Sequence, residues 1–375
     1  MTMKSATMPS AATVLAAFMA VLFLLPTESP GQEKDNEKVA NKNTRSKAEV
    51  EKLINTVGKT PPEWFDSVKL NYPGSLDLNW PQPPPSRQWN NQRNVGQYIW
   101  DIINPNPSRW KSGVRFMHFM LKKHAGDEQL RNRVMQSMGR MYFDFFRDYP
   151  RAAFWWRASG VDKDESPEAV HLAECYWRMG NQDMAKELLG KLPNFYSAIK
   201  LWADMGETDK ALRVANAFAQ SGYVDMAYLS AGDACRTVGK LDDATAYYKS
   251  VLNVPATGRM ARRIQRNQRR AWANIEGIKL YDSLDLSTVP DGKYQGYAPG
   301  YAGNVYVEVA VAKGRITSVK VTSHKEKQFY SAITDTTSQI VKQQGLSGID
   351  ATTGATITSE AIINATARAL SKAGK

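Results

Sequence analysis

Residues Asp350 to Ser359 read DATTGATITS, and this stretch decides how the chain is interpreted. Its centre holds Gly354 and Ala355, the two smallest residue types, which let a bulky group approach the backbone closely. Glycine also adopts the positive φ of a tight turn without steric cost. Because a loop of this composition can simply cap a helix, its functional meaning depends on the surrounding sequence.

A helix is predicted directly after this stretch, over residues 359–370, which are apolar and rich in alanine. Thr358 is the predicted N-cap, and Glu360 is expected in the first turn. Thr356 would then lie at a helix N-terminus, where unpaired amides and the helix dipole favour an anion. A phosphoester at this hydroxyl would be stabilised there.

The stretch resembles the flavinylation motif of the FMN-binding domain family, Asp-x-x-(Ser/Thr)-Gly-Ala-Thr. The resemblance implies that FMN is joined through its phosphate to the hydroxyl of Thr356. It assigns five neighbouring residues to the cofactor site: Asp350, Thr353, Gly354, Ala355 and Thr358. It also implies that a flavin transferase requires Asp350, although this carboxylate could equally bond nearby loop amides.

Upstream of the motif, residues 304–322 are predicted to form a β-hairpin. Valines alternate with other residues from Val305 to Val311, so they share one face of a strand. Lys313-Gly314 marks the turn, and residues 315–322 form the partner strand. A helix over about residues 329–343 and a glycine-containing loop then lead to the motif.

The FMN-binding domain family shows the same order of elements, which here covers residues 289–375. Its Gly-rich lead-in corresponds to residues 300–303, so Tyr301 and Gly303 are candidate site residues, as is His324 after the hairpin. A Pro-Gly turn that often follows this His is missing, which puts one wall of the site in doubt. Three aromatic residues are candidates to stack on the flavin ring: Tyr301, Phe329 and Tyr330. Each of these residues could equally be structural.

The middle of the chain, residues 94–285, is predicted to be helical throughout, with its clearest repeats in residues 166–256. Gly180, Gly206 and Gly239 are each followed five residues later by Ala, and these glycines lie 26 and 33 residues apart. The pattern resembles the inter-helix turn of tetratricopeptide repeats, whose period is about 34 residues. The resemblance implies a solenoid with a concave surface for a protein partner. A helical spacer is the alternative.

The N-terminal residues 1–31 contain an apolar run, from Ala11 to Leu25, that Pro26 closes. This length suits the apolar region of a signal peptide and is short for a membrane span. We therefore predict an extracytoplasmic protein, periplasmic or secreted, with the N-terminus either cleaved or kept as an anchor. Residues 32–93 are first charged and then rich in Pro and Trp, which predicts a linker.

The chain has two cysteines, Cys175 and Cys235, both in apolar helical settings. We predict that both are buried free thiols, although an exported chain with two cysteines could form one disulfide. No Cys-x-x-Cys-His motif is present, which excludes a c-type haem. No catalytic residue and no metal site are predicted.

The net charge of +12 is concentrated in one predicted helix just before residue 289. Six arginines recur there at spacings of three and four residues, which predicts a single cationic stripe: Arg259, Arg262, Arg263, Arg266, Arg269 and Arg270. An exported protein rarely meets nucleic acid, so an acidic redox partner or an anionic membrane surface is the expected partner of the stripe. A solvated helix face is the alternative.

The sequence thus predicts a multidomain protein, an α-helical tetratricopeptide-like solenoid followed by a small α+β FMN-binding domain. The expected function is an exported electron carrier with covalent FMN on Thr356 that delivers electrons to a partner protein. The family occurs in the FMN-bearing subunits of the sodium-pumping NADH–quinone reductase and related ion pumps, which relay electrons. Two alternatives remain open: a flavin-dependent reductase with its own acceptor, and a non-redox interaction protein that works through the repeats.

Overall fold

A computed structural model describes residues 43–84, 87–282, 284–327 and 331–373. The signal peptide or anchor predicted for residues 1–31 lies outside these ranges, as do Phe329 and Tyr330. The described ranges contain fourteen α-helices and one three-stranded sheet. No helix within these ranges is both long enough and apolar enough to cross a membrane.

The described part of the predicted linker is packed against the helices that follow it. Its helix α1 (Lys47–Leu53) buries Val50, and the next turn buries Ile54. The amide of Thr44 donates a hydrogen bond to the carbonyl of Gly180 (2.9 Å). Although this segment is mostly charged, its two buried apolar residues Val50 and Ile54 are four positions apart. This spacing places both side chains on one face of the short helix.

Eleven further helices follow along the chain: α2 (Val95–Tyr98), α3 (Trp110–Lys123), α4 (Glu128–Phe146), α5 (Tyr149–Ala158), α6 (Pro167–Arg178), α7 (Gln182–Leu189), α8 (Tyr196–Asp204), α9 (Thr208–Ala219), α10 (Val224–Thr237), α11 (Leu241–Leu252) and α12 (Ala261–Asp282). From α3 to α12 most helices pack against their neighbours in sequence, as expected of short helix–helix connections. We refer to α1–α12 as the helical region.

Three helical hairpins, α6–α7, α8–α9 and α10–α11, turn at the glycines that the sequence repeats. Gly180, Gly206 and Gly239 have φ values of 94°, 80° and 78°, a left-handed conformation that glycine adopts most easily at a helix end. Gly232 on α10 lies against the ring of Tyr248 on α11, and a Cβ at Gly232 would lie 2.5 Å from that ring. The chain therefore turns at the predicted glycines, and in the third hairpin the two helices are in close contact.

The C-terminal domain contains the sheet and two helices: β1 (Gly292–Pro299), β2 (Asn304–Ala312), β3 (Arg315–Ser323), α13 (Ala332–Gln343) and α14 (Thr356–Leu370). The strands are antiparallel in the order β1-β2-β3. The predicted hairpin is β2–β3, and its turn residues Lys313 and Gly314 both have positive φ, as in a type I′ turn. Strand β1 was not predicted from the sequence.

The core of this domain lies between the sheet and α14. Val305, Val307, Val309 and Val311 are all buried on one face of β2, as the alternation predicts. Helix α14 packs on β1 and β2, and nearly all of its residues are buried. It also packs on α12, so it lies between the sheet and the helical region.

Strand β1 reaches α14 at Gly296, and this contact gives a test of the packing. A Cβ at Gly296 would lie 2.2 Å from the carbonyl oxygen of Ala365 and 2.7 Å from the amide nitrogen of Ala369. Because both atoms belong to backbone, Gly296→Ala should lower the free energy of unfolding by about 2–3 kcal/mol, measured by urea denaturation.

The matched control is Gly126→Ala, since no heavy atom of the described chain lies within 4 Å of the added Cβ. This change should alter the free energy of unfolding by less than about 0.5 kcal/mol. Equal effects of the two substitutions would contradict the packing of β1 on α14.

Candidate functional site

The attachment loop, residues 350–355, ends where α14 begins. Thr356 is the first residue of the helix and is partly exposed, and Ala355 is the N-cap. Among the described residues no side chain caps this helix N-terminus, so its first amides remain available to another acceptor. The predicted N-cap, Thr358, is wrong, because the helix starts at Thr356, three residues before the predicted start at Ser359, and Thr358 lies within its first turn. Glu360 consequently falls in the second turn.

Gly354 makes the turn that leads into the helix. Its φ is 78°, which confirms the positive φ expected from the sequence. The amide of Ala355 donates to the carbonyl of Thr352 (2.9 Å), and Ala355 is buried. The two small residues therefore let the loop bend tightly, and Gly354 is exposed to solvent.

Bonds within the C-terminal domain fix both ends of the attachment loop. The side-chain amide of Gln339 on α13 donates to the carbonyl of Asp350 and its oxygen accepts from the amide of Asp350, both at 2.9 Å. At the other end, the amide of Thr352 donates to Oγ of Ser359 (3.1 Å), which also accepts from the hydroxyl of Thr336 (3.0 Å). The loop conformation is thus specified by α13 and α14.

Two helices of the helical region bind the loop from outside the domain. Nη1 of Arg178, at the end of α6, lies 2.7 Å from Oδ2 of Asp350. Nζ of Lys200 on α8 lies 3.0 Å from Oδ1 of the same carboxylate. The hydroxyl of Thr353 donates to Oε1 of Glu174 (2.9 Å), which also pairs with Arg178 (3.2 Å). Two predicted motif residues are therefore held by residues 150 or more positions away in sequence.

These charges decide the ionisation of Asp350. Burial alone would raise the pKa of this carboxyl, but Lys200 and Arg178 outweigh that effect and hold the pKa well below its usual range. Asp350 is therefore ionised at every physiological pH, and its charge is matched by two cations. Such a carboxylate has a structural role in the folded chain in addition to any role in recognition.

The Gly-rich lead-in is joined to α14 through Glu326. This buried carboxylate accepts from the amides of Tyr301 (3.1 Å) and Ala302 (2.8 Å) and from the hydroxyl of Thr358 (2.8 Å). Sequence reasoning did not assign Glu326 a role, although it lies two residues after the candidate site residue His324. Glu326 is the residue that brings the predicted site residues Tyr301 and Thr358 together.

The remaining lead-in residues occupy the edge of the site. The amide of Gly300 donates to the carbonyl of Gly303 (2.7 Å), which closes a tight turn between β1 and β2. The ring of Tyr301 is 57% exposed, and the guanidinium of Arg266 lies 4.6 Å from its centroid. His324 follows β3 directly and is half-buried. Tyr301 thus presents an aromatic face beside a cation at the surface.

The six arginines predicted as one stripe divide between two faces of α12 and the turn before it. Three of them point into the protein: Arg263 pairs with Asp225 (2.8 Å), Arg266 covers Tyr301, and Arg270 pairs with Glu360 (3.0 Å). The other three are exposed: Arg259, Arg262 and Arg269. The prediction of a single stripe is therefore wrong, because adjacent positions such as 269 and 270 lie about 100° apart around a helix.

Glu360 of α14 lies in a buried network of charges with the helical region. Oε2 of Glu360 lies 3.0 Å from Arg270, and Oε1 lies 3.7 Å from Arg236. Burial would raise the pKa of Glu360, but Arg270, Arg236 and a hydrogen bond with Asp233 lower it. The pKa of Asp233 shifts in the opposite direction, because burial and the neighbouring Glu360 raise it to about 7. Glu360 is therefore the ionised member of the pair, and burial favours the protonated form of Asp233.

A small cavity lies between the attachment loop and the helical region. It is lined by residues of both parts of the chain: Phe143, Asp144, Arg147, Tyr149, Glu174, Arg178, Ser331, Thr352 and Thr353. Oγ of Ser331 and Oγ1 of Thr352 are buried there without a hydrogen-bond partner among the described residues. Buried hydroxyls normally have a partner, so this edge of the loop has unused capacity to bind polar atoms.

Comparison with known proteins gives one result. Residues 300–371 match the model of the FMN-binding domain family. The match supports the FMN-binding domain predicted from the motif, and with it a flavoprotein that uses FMN. A search of curated proteins and a search of solved structures found no match.

The residues at the start of α14 fit a bound flavin phosphate. Thr356 carries a hydroxyl at an uncapped helix N-terminus, where free amides and the helix dipole stabilise negative charge. The unpartnered hydroxyl of Thr352 lies in the same loop. The exposed face of Tyr301 could pack on the flavin ring. Cys175 and Cys235, by contrast, are buried and free, as predicted, and lie in α6 and α10.

The acid that lines the cavity, Asp144, gives a pH-dependent prediction. Burial raises the pKa of Asp144 to about 7, although Arg140 opposes the rise. A raised pKa means that the folded state favours the protonated acid, so this stabilisation is complete below about pH 4 and is lost as the pH rises through 7. Asp144→Asn should therefore raise the free energy of unfolding by about 2 kcal/mol at pH 8 and by much less at pH 4.

Urea denaturation of both proteins between pH 4 and pH 8 measures this difference. The exposed Asp209→Asn is the control and should show no comparable gain at pH 8. A gain for Asp144→Asn that is the same at both ends of the pH range would show that Asp144 does not titrate as described.

Proposed function

We propose that this protein is an electron-transfer flavoprotein that carries FMN on Thr356 through a phosphoester bond. The observation that carries the proposal is the position of Thr356. It is the hydroxyl at the uncapped N-terminus of α14, inside a domain that matches the FMN-binding domain family. An anion attached there lies on the positive end of a helix fifteen residues long.

The attachment requires a flavin dinucleotide and a transferase. Oγ of Thr356 would attack the phosphorus that bears the flavin half and form a new P–O bond. The pyrophosphate P–O bond would break, the nucleoside monophosphate would leave with the bonding electrons, and the hydroxyl proton would pass to a base of the transferase. The bond prevents loss of the cofactor, which is useful outside the cytoplasm where no free FMN pool refills an empty site.

Bound FMN supplies the acceptance and release of electrons, and the chain positions it. The amides of α14 stabilise the phosphate, and Glu326 fixes the lead-in loop against Thr358. Asp350 fixes the attachment loop through Arg178 and Lys200. Charges this close to the cofactor would also influence its reduction potential.

The helical region supports a proposal about partners. Its three hairpins with glycine turns are similar to tetratricopeptide repeats, and such repeats bind protein segments on a concave surface. We infer that the helical region docks a protein partner while the C-terminal domain carries the electrons. We further propose that the chain is exported, on the basis of the apolar run in residues 1–31.

The exposed arginines remain the proposed docking site for an acidic redox partner. Arg259, Arg262 and Arg269 are exposed, and Arg262 and Arg269 share one face of α12 because they are separated by about two helical turns. The exposed ring of Trp272 adjoins Arg269. Arginine beside tryptophan is a frequent combination at protein interfaces. An anionic membrane surface is the other partner that this charge would suit.

The attachment is tested by replacing its hydroxyl. Full-length chain co-expressed with a flavin transferase should gain the mass of one FMN, less one water, on the peptide that contains Thr356. Thr356→Val should gain none, because it keeps the shape of the side chain without the nucleophile. Intact-protein and peptide mass spectrometry measure both.

Thr322→Val on the exposed edge of β3 is the control and should load FMN as the wild type does. A wild type that stays at its bare mass, or a Thr356→Val variant that is loaded equally, would contradict the proposal.

The docking face is tested by a charge-neutral triple variant, Arg259→Gln, Arg262→Gln and Arg269→Gln. Electron transfer to the oxidised flavoprotein from a small acidic probe protein, a reduced ferredoxin, should slow about five- to tenfold at low ionic strength, and the difference should vanish in about 0.5 M salt. Stopped-flow absorbance measures the rate.

A second triple variant with the same charge change, Lys69→Gln, Lys122→Gln and Lys123→Gln, removes three exposed cations from elsewhere in the chain. It should leave the rate within about twofold of the wild type. Equal losses in the two variants would mean that net charge, and not this face, controls the encounter.

A further inference from the structure

The attachment loop is largely covered by the helical region. Between Asp350 and Thr356, Gly354 is the exposed residue, whereas Ala351 and Ala355 are buried and the others are half-buried. The side chains of Asp350 and Thr353 are both engaged by the helical region. An enzyme that modifies Thr356 must enclose this same loop in its own active site, together with its dinucleotide.

We propose that the helical region acts as a clamp on the attachment loop, and that the loop must leave the clamp before Thr356 can be modified. We define the clamp as Glu174, Arg178 and Lys200. This proposal rests on the proposed covalent attachment and adds its regulation. It predicts that the transferase and the helical region compete for one loop, so flavin attachment is fast before the chain has folded completely and slow afterwards.

The geometry points to a movement of the loop alone. Helix α14 is held on α12 by the buried pair of Glu360 with Arg270 and by a hydrogen bond from Asn364 to Asn274 (2.7 Å). At Gly277 of α12 the helices are so close that a Cβ would lie 2.2 Å from Asn364 Oδ1. Separation of the two parts of the chain would break all of these buried contacts, whereas release of the loop breaks those of the clamp and the exchangeable hydrogen bonds of the loop to Gln339 and Ser359.

The clamp is made of contacts that can exchange for water. It joins two carboxylates, two cations and one hydroxyl. The side chains of Asp350 and Lys200 are 29% and 21% exposed, whereas Glu174 is buried. Ion pairs at such positions open readily only if each charge keeps a partner after release. Gly354 lies within the loop with a positive φ and gives the backbone a flexible point.

Each cation of the clamp has a second acidic partner that remains in place when the loop leaves. Arg178 pairs with Glu174 (3.2 Å), and Lys200 pairs with Asp204. Both cations therefore keep a carboxylate partner in the open state, which lowers the cost of opening. A clamp whose cations had Asp350 as their only acid would leave two buried charges unpaired on release and would open far less readily.

The test uses full-length apoprotein purified from a host that lacks a flavin transferase. Purified transferase and FAD are added to the folded protein, and the gain in mass is followed with time. In the variant Arg178→Met with Lys200→Met, which removes the clamp cations but keeps their length, the initial rate of attachment should rise about tenfold, which corresponds to about 1.4 kcal/mol of clamp strength. Hydrogen exchange of the peptide that contains residues 350–356 should also become faster.

A matched control comes from a cation pair outside the site. Arg157 pairs with Glu51 (2.7 Å), and both side chains are about 30% exposed. Arg157→Met should leave the attachment rate and the exchange of the loop peptide as they are in the wild type. A second variant, Glu174→Gln, keeps both cations and weakens the bond to Thr353, and it should raise the attachment rate by a smaller factor than the double variant does.

The outcomes separate this inference from the proposed function. If co-expression with the transferase never loads the wild type, the attachment itself fails. If co-expression loads the wild type but folded wild type and clamp variants are modified at equal rates with equal exchange, the clamp is overturned. Slower attachment in folded variants with native circular dichroism would also overturn it, since the helical region would then assist the transferase.

Discussion

The buried ion pair between Glu360 and Arg270 is the contact on which the arrangement of this protein depends. It joins α14, the helix that begins at the attachment residue, to α12, the last helix of the helical region. A buried ion pair is stable only if both partners remain present and bonded, and loss of one partner typically costs about 3–5 kcal/mol. Arg236 and Asp233 complete the network. The position of Thr356 therefore depends on residues of the helical region.

Because α14 is packed on both sides, the site has two kinds of support. The sheet supplies apolar contacts through the valines of β2, and these give the helix a fixed distance from the strands. The helical region supplies polar contacts, which fix rotation and register because hydrogen bonds and ion pairs are directional. Glu326 performs the same task at the lead-in, where one carboxylate accepts from two amides and one hydroxyl.

Local patterns were sufficient for part of this architecture. The alternation of valines from Val305 to Val311 and the turn Lys313-Gly314 were enough to predict the β2–β3 hairpin, because both features act through neighbouring residues. The turn glycines of the helical hairpins and the positive φ of Gly354 were predictable for the same reason. The FMN-binding domain could be predicted because its motif is short and its elements follow in a fixed order.

The features that were missed depend on residues far apart in sequence. Strand β1 has little strand propensity, since Gly292, Lys293 and Gly296 are poor strand formers, and it exists through pairing with β2 and contact with α14. Thr358 is a good N-cap by local propensity, but its hydroxyl is used by Glu326, and the helix starts earlier.

The division of the arginines between two faces of α12 could not be predicted for a similar reason. Spacings of three and four residues identify a helix, yet they do not tell which of two adjacent positions faces the protein. The buried positions were determined by Asp225 and Glu360, which lie 38 and 90 residues away from Arg263 and Arg270. The contacts of Asp350 with Arg178 and Lys200 were beyond local patterns for the same reason.

The pairing of Glu360 with Arg270 has a consequence for the evolution of this chain. Small cofactor domains spread between genes by recombination when each one folds independently of its neighbours. Here a transferred segment that began at residue 289 would bring Glu360 without Arg270 and Arg236, and the face of α14 that packs on α12 would lose its partners. A graft that also carried α12 would restore Arg270 as the partner of Glu360 but not Arg236, which lies in α10, so the C-terminal domain is less portable than its size suggests.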